Sequence, residues 1–451
     1  MNSACPDSTV YALSSGRGRS AVAVVRLSGP ACGAVLDRLC GTRPPAREAR
    51  VRSIRDPISG ELLDRALVLW FPGPGSFTGE DSAELHLHGS QAVVSAVLRV
   101  LSGFEGVQAA GPGDFTRRAF DNEKLDLSEV EGLADLIDAQ TDVQRRQAQR
   151  QFDGALSDQV ESWRHRLIRL AAHMEATIDF SDEEIPNGLL ERSLLGIKEL
   201  REELQDFLAT SHVGERIRQG FQVTLLGAPN AGKSSLLNKL ARREAAIVSD
   251  MAGTTRDVIE VAMDIAGFPV ILSDTAGLRQ DGSADAIEAE GMRRSQMRAE
   301  EADLKLVLFD GLEIAQPDRG GLGLLDDKAI AVITKRDVMR QDPPASFKGH
   351  KAYHLSAKTG EGLEKLLEAI QEQLTRLHAE TDEAPVLLTR QRHRESLEDC
   401  AAALERAESA PDISLMAEDI RHALSTLGRI TGRVDVEDLL DVIFRDFCIG
   451  K

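Results

Sequence analysis

The sequence predicts a multidomain chain of mixed α+β and α/β class, in which an α/β module interrupts a helical one. Three observations lead there. At 451 residues the chain is too long for a single core. The run from Gly227 to Ser235, GAPNAGKSS, lies between a β-type apolar segment and a helix-type one. Helical apolar spacing fills 119–213, gives way abruptly at GERIRQGF (214–221), and resumes from about 380 to the end.

Residues 1–118 read as α+β. AVAVVRL (21–27) and RALVLWF (65–71) are β-branched and apolar and are bounded by Gly and Pro, so they read as strands. SQAVVSAVLRVLSGF (90–104) has helical spacing and a Gly near its end. In the helical part, Asp126 or Ser128 can cap the helix of DLSEVEGLADLIDA, with Glu131 three residues after Ser128. Long amphipathic runs follow at 156–180 and 191–211. The expected domains are 1–118, a discontinuous helical domain of 119–213 and 380–451, and an inserted α/β domain of 214–379. Insertion is tolerated where the inserted ends meet at a surface. The acidic run SDEEIP (181–186) is too crowded for a carboxylate cage and reads as a solvated turn.

Hydrophobic residues make up 42% and charged residues 28%, ordinary for a globular protein, and the net charge of −19 advertises no general nucleic-acid face. Any RNA contact is therefore local or shared with a partner. The apolar stretches are too short to cross a bilayer, and the first twenty residues lack a basic segment followed by an apolar core. Five scattered cysteines without a C-x-x-C pair indicate neither a zinc site nor a disulfide framework. The expected setting is the cytoplasm, with no membrane partner.

The central run fits G-x-x-x-x-G-K-[ST], the phosphate-loop pattern. Its glycines let backbone N–H groups of Asn230, Ala231, Gly232, Lys233, Ser234 and Ser235 approach a phosphate, and the following helix adds its dipole. Lys233 reaches the outer phosphates, and Ser234 offers Mg²⁺ a hydroxyl. DMAGTTRD (250–257) carries Thr255, a second hydroxyl for Mg²⁺ that also senses the γ-phosphate. In LSDTAG (272–277), Asp274 suits Mg²⁺ through water, and Thr275, Ala276 and Gly277 approach the γ-phosphate. AVITKRD (331–337) places Asp337 for the Watson–Crick donors of guanine and Lys335 over the ring. SAKTGEG (356–362) brings Ser356, Ala357 and Lys358 to the base oxygen.

These motifs resemble those of a translation-factor-type GTPase. The chain departs from the N-K-x-D pattern at Thr334, which is shorter than Asn and lacks the amide that ties base to phosphate loop. ATP is the competing ligand on that account; Asp337 favours GTP. Gln280 stands where a Ras-like reading would seek a group to orient water.

Taken whole, the sequence resembles the MnmE (TrmE) family of tRNA-modification GTPases. The likeness rests on RLSGP (26–30), FTGEDSAELHLHG (77–89), PGDFTRRAFDNEKLDLSEVEGLADLIDA (112–139), the nucleotide motifs and the terminal FCIGK (447–451). It implies an N-terminal folate-binding-like and dimerising domain, a helical domain and an inserted Ras-like P-loop GTPase domain. It implies a homodimer that works with the flavoprotein MnmG, as a heterotetramer, on the wobble uridine of certain tRNAs. The product carries an aminomethyl or carboxymethylaminomethyl group at carbon 5, and a tetrahydrofolate derivative supplies the carbon. Hydrolysis of GTP is implied to need K⁺ near Asn230, Ser249, Met251 and Thr254, in a loop that also includes Asp250, Ala252 and Gly253. The water-orienting residue aligns with Glu288, Glu290 being the second choice.

The resemblance further implies folate contacts from Arg26, Glu84, Lys124 and Lys451, basic groups suiting a glutamate tail and a carboxylate suiting pterin N–H donors. It sets Cys448 beside the one-carbon site, although FCIGK also mimics a prenylation box and a small buried hydrophobe is a further reading. His86 and His88 share one strand face without a ligand partner at metal spacing. DVQRRQAQRQ (142–151) reads as a solvated helix face ahead of a tRNA contact. The competing function is a GTP-dependent assembly or binding switch on ribosomes.

Overall fold

The computed structural model describes residues 8–16, 18–179, 189–210, 212–243, 259–274, 299–300, 302–340, 342–379, 388–434, 440, 443–445 and 447–450. By compactness the chain forms two units, Met1–Ala134 with Leu427–Lys451, and Asp135–Thr426.

In the first unit, β1 (Thr9–Leu13), β2 (Val22–Ser28), β3 (Arg50–Arg55), β4 (Leu62–Phe71), β5 (Ser82–His88) and β6 (Val107–Ala109) form one sheet in the order β3-β4-β5-β2-β1-β6. Its neighbours are antiparallel except β1 and β6. Alternation along β2 sends Val25 and Leu27 into a core with Leu36 and Leu39 of α1 (Cys32–Cys40) and Val97 and Leu101 of α2 (Gln91–Leu101). The same period turns Arg26 to the opposite face, where the register sets it against Glu84. Ser90 caps α2 by accepting the Val93 N–H at 3.2 Å.

Two further helices follow, α3 (Asp114–Asp121) and α4 (Leu127–Asp138). Asp126 takes the α4 cap: its carboxylate accepts the Glu129 N–H at 2.9 Å, and Glu129 accepts the Asp126 N–H at 2.7 Å. Ser128 therefore lies inside the helix and donates to Asp126. Leu127 and Val130 pack with Leu440, Phe444 and Phe447, so the end of the chain belongs to this unit. Gly113, at φ 71°, admits the chain there: a Cβ on it would lie 2.6 Å from the Phe444 carbonyl.

The second unit begins with helices. α5 (Asp142–Phe152) opens on a Thr141–Gln144 capping box; α6 (Ala155–Asp179), α7 (Leu189–Thr210) and α8 (His212–Gln219) follow. The chain then enters a seven-stranded sheet built from β7 (Phe221–Gly227), β8 (Ile259–Ile265), β9 (Phe268–Asp274), β10 (Leu304–Asp310), β11 (Ala329–Thr334), β12 (Ser346–Phe347) and β13 (His350–His354). The order is β12-β13-β11-β10-β7-β9-β8, with β7, β9, β10, β11 and β13 parallel and the two outer strands antiparallel. Helices α9 (Lys233–Arg243), α10 (Arg319–Gly323) and α11 (Leu363–Ala379) accompany it. The chain returns as α12 (Gln391–Ser409) and α13 (Ile413–Thr431). This is the mixed class the sequence predicts.

The helical core centres on Trp163, fully buried, whose Nε1 donates to Glu203 at 2.8 Å and whose ring meets Phe207 edge-on. Both chain crossings into the inserted sheet are held by α5. Gln147 donates to the Gly214 carbonyl and Gln144 to that of Arg218, while Gln151 accepts from Thr389. Arg145 and Arg146 of the same helix pair with Asp142 on its exposed side.

Truncating Trp163 to Ala removes the largest buried side chain of this bundle and leaves a cavity. The expected cost is about 3–5 kcal/mol, read as a lower midpoint in urea denaturation followed by circular dichroism. Trp163→Phe keeps a ring and falls in between; an unchanged midpoint for the alanine variant contradicts the packing described.

Candidate functional site

Five parallel strands end on one edge, and the nucleotide motifs follow those ends. β7 closes on Gly227, β9 on Asp274, β10 on Asp310 and β11 on Thr334, with Ser356 just past β13. Open parallel sheets bind ligands at this edge. Gly227 has φ 141° and sits so close to β10 that a Cβ would lie 2.4 Å from the Leu308 carbonyl. A side chain there would push the loop off the sheet.

Lys233 is 7% exposed, and its ammonium donates to the carbonyls of Gly227 at 2.6 Å and Ala228 at 3.0 Å. Burial lowers its pKa from the ordinary lysine value, opposed by the charge of Asp274. The ammonium is thus held inside the loop, aimed by backbone carbonyls. Ser234 Oγ donates to Asp274 Oδ2 at 2.7 Å. A hydroxyl and a carboxylate converging on one point form a hard-oxygen pair of the kind Mg²⁺ takes, so these residues fit that ion.

Thr334 lacks an amide, yet it ties β11 to the phosphate loop. Its Oγ1 donates to the Ala231 carbonyl at 2.7 Å, with Phe309 O at 3.2 Å. This corrects the expectation drawn from its short side chain: the hydroxyl reaches because β11 runs directly beside β10, under the loop. Lys335 has φ 58° and pairs with Asp310 at 2.6 Å. Ser356 Oγ donates to Asp337 Oδ1 at 2.6 Å, which orients an otherwise exposed carboxylate. Asn230 takes a left-handed conformation at φ 67° at the loop tip. Asp310 was not singled out by sequence reading, although its place at the end of an apolar strand is the same signal that marks Asp274.

Ser249, Asp250, Met251, Ala252, Gly253, Thr254, Thr255, Thr275, Ala276, Gly277, Gln280, Glu288, Glu290 and Lys451 lie outside the described residues, as does SDEEIP.

In the first unit, Arg26 pairs with Glu84 at 3.0 Å, and His86 meets the other Glu84 oxygen at 3.1 Å. The Arg26 guanidinium lies 5.9 Å from the Phe77 ring centroid and 5.8 Å from that of Phe115. Lys124 lies against Gly79. His88 is occupied by Asp64 at 2.7 Å. Among the described residues no group of three or more His, Cys, Asp or Glu is arranged to hold a metal.

A cavity of about 850 Å³ opens at the β1–β6 edge, walled by Tyr11, Leu13, Arg19, Gln91, Val94, Leu98 and Cys448. Sequence reading identified Cys448 alone of these, because the others come from separated segments. Buried Arg118 and half-buried Glu80 pair at 2.9 Å; both stand within the quoted motifs, yet sequence reading did not single them out.

Among the described residues no helix is long and apolar enough to cross a membrane.

Residues 127–448 match the family model described as MnmE helical domain, and residues 9–124 match GTP-binding protein TrmE N-terminus. A tRNA modification GTPase MnmE of Paramagnetospirillum magneticum is 53% identical over 444 residues, spanning 98% of this chain and 99% of that protein. Its counterpart in Parvibaculum lavamentivorans is 52% identical over 456 residues, spanning 98% and 100%. Among solved structures, the G domain of the T. maritima FeoB iron transporter is 26% identical, covering 34% of this chain and 98% of that chain with a TM-score of 0.26.

The cysteines provide a direct check of burial in each unit. Burial raises the Cys32 thiol far above its ordinary value and Cys400 to about 12, and pushes half-buried Cys40 to about 11, whereas Cys448 is exposed. In a Cys5→Ser background at pH 8, a disulfide reagent is expected to modify Cys448 first, Cys40 slowly, and Cys32 and Cys400 on unfolding. Rapid labelling of Cys32 or Cys400 in the folded protein contradicts this arrangement.

Proposed function

Because the chain belongs to the MnmE (TrmE) family of tRNA-modification GTPases, we propose that its GTP hydrolysis is potassium-activated and coupled to modification of the wobble uridine, with MnmG as partner. The chain is a GTP hydrolase that acts in tRNA modification. The observation that supports the nucleotide site in this reading is the gathering of Lys233, the Ser234–Asp274 pair, Thr334 and Asp337 at one sheet edge.

In this reading Lys233 lies under the outer phosphates, where its positive charge offsets the charge that develops as the terminal phosphoryl leaves. Ser234 and Thr255 would hold Mg²⁺, and Asp274 would act on it through water; when bound, the ion would neutralise the charge of the transferring phosphoryl. Asn230, Ser249, Met251 and Thr254 hold K⁺, and Glu288 orients the attacking water. Asp337, held by Ser356, accepts from guanine. The three-part organisation of 1–118, 119–213 with 380–451, and 214–379 belongs to the same proposal, as do the homodimer and a cytoplasmic setting.

The N-terminal part is read as the tetrahydrofolate site. Glu84 offers an acceptor for pterin N–H donors, and Arg26, stacked on Phe77 and Phe115, offers a cation beside two aromatic faces. Lys124 and Lys451 suit the glutamate tail. Cys448 stands in the wall of the large cavity, and the same reading gives it a chemical role beside the one-carbon unit. The added group is an aminomethyl or carboxymethylaminomethyl at carbon 5.

GTP turnover is expected to be higher in K⁺ than in Na⁺ at equal ionic strength. Glu288→Ala should keep GTP binding and lose turnover by about 10²-fold or more, as when a transition-state positioning group is removed. Equal rates in the two salts count against K⁺ activation, and a normal rate in the variant moves the role to Glu290 or Gln280.

Mass spectrometry of tRNA nucleosides tests the coupling. Cells lacking the protein should lose the carbon-5 group at the wobble uridine. Intact modification supports the ribosomal switch instead.

A further inference from the structure

We infer that this protein reads guanine through its Watson–Crick edge alone and leaves the N7 nitrogen unread. The inference rests on the reading of Asp337 as the guanine-binding carboxylate.

Thr334 is 3% exposed and closes β11 against the phosphate loop. Its hydroxyl has one proton, and the Ala231 carbonyl at 2.7 Å takes it. An asparagine amide at the same position has two N–H donors, so it can hold the loop and still donate to a ligand. The substitution to threonine keeps the first bond and removes the second. Of the neighbouring side chains, Ser356 Oγ donates its one proton to Asp337 at 2.6 Å, and the Lys335 ammonium is turned to Asp310 at 2.6 Å.

What faces the base is then a carboxylate and backbone. Asp337 is an acceptor, matched to the N1–H and the exocyclic amine of guanine. Backbone N–H groups of Ala357 and Lys358 match the base oxygen. N7 is itself an acceptor and needs a donor, and position 334 has none left to give. Thr334 is thus a positioning residue. It fixes Ala231, and through it the loop, without touching the base. Gly232 lies just beyond, where a Cβ would sit 3.6 Å from the Thr334 side chain, so the contact is close-packed as well as hydrogen-bonded.

The test is competition binding of GTP and 7-deaza-GTP to the full-length protein against a fluorescent guanine nucleotide. 7-Deaza-GTP differs in having C–H at position 7. The wild-type protein is expected to bind the two within about twofold of each other, less than one hydrogen bond is worth. Thr334→Asn should acquire a preference for GTP of about fivefold to tenfold, the worth of one such bond. Thr334→Val should weaken both ligands alike, and Thr334→Ser should restore both. A wild-type protein that binds 7-deaza-GTP about fivefold or more weakly than GTP overturns the inference. A Thr334→Val variant with unchanged affinity overturns the positioning role. Asp337→Asn, which replaces an acceptor with an amide suited to the second carbonyl of xanthine, tests the premise separately. A shift from GTP toward XTP supports it, and retained GTP preference overturns the Asp337 reading itself.

Discussion

The hydrogen-bonded register of β10 with its two neighbours is the constraint on which the nucleotide edge depends. Leu308 stands opposite Gly227 on one side, and Asp310 stands opposite Thr334 on the other. Parallel pairing brings the ends of β10 and β11 level, with the end of β7 two residues short of them, and each end then exposes a loop or a polar group. Thr334 reaches Ala231 although β10 lies between its strand and the strand that feeds the loop. A one-residue slip of β11 would turn its side chains to the other face and take that hydroxyl away from the loop. The runs that pair here, LKLVLF and AIAVI, are buried on both faces, as strands of a parallel sheet are.

The N-terminal sheet uses the same device with the opposite pairing sense. Antiparallel register sets Arg26 against Glu84, and the two-residue period keeps both off the apolar core formed by Val25, Leu27, Leu85 and Leu87. A charge pair on a sheet face, flanked by aromatic rings, is partly shielded from water while remaining open to a ligand. The end of the chain is part of this unit, held through Phe444 and Phe447, and this is how Cys448 joins a cavity whose other walls come from residues more than three hundred positions earlier.

The inserted sheet is anchored where the chain enters and leaves it. Gln144, Gln147 and Gln151 recur along one side of α5, and each engages a residue at one of the two crossings. Long polar side chains satisfy backbone carbonyls at the first crossing and a threonine hydroxyl at the second without a covalent tie. Val143 of the same helix packs against the core of the sheet, and its N–H reaches the Gly267 carbonyl at 3.3 Å. The segment that looks from its arginines like a surface helix is, on its glutamine side, a fastening.

Local sequence was enough for β2, β4 and β7, the phosphate loop and the order of motifs, because burial period and loop chemistry are properties of a few consecutive residues. It also gave Arg26 and Glu84 as members of one site through resemblance. It left open whether Asp126 or Ser128 caps α4, which geometry decides for Asp126 through its exchange with Glu129. It misjudged Thr334, since the partner of that hydroxyl lies 103 residues away. The partners of Lys335, of the α5 glutamines and of Cys448 were equally hidden. Which elements form is set by short-range pattern; which side chains meet is set by sheet order and chain return. A hydrogen bond between distant residues exists only after the whole chain has packed.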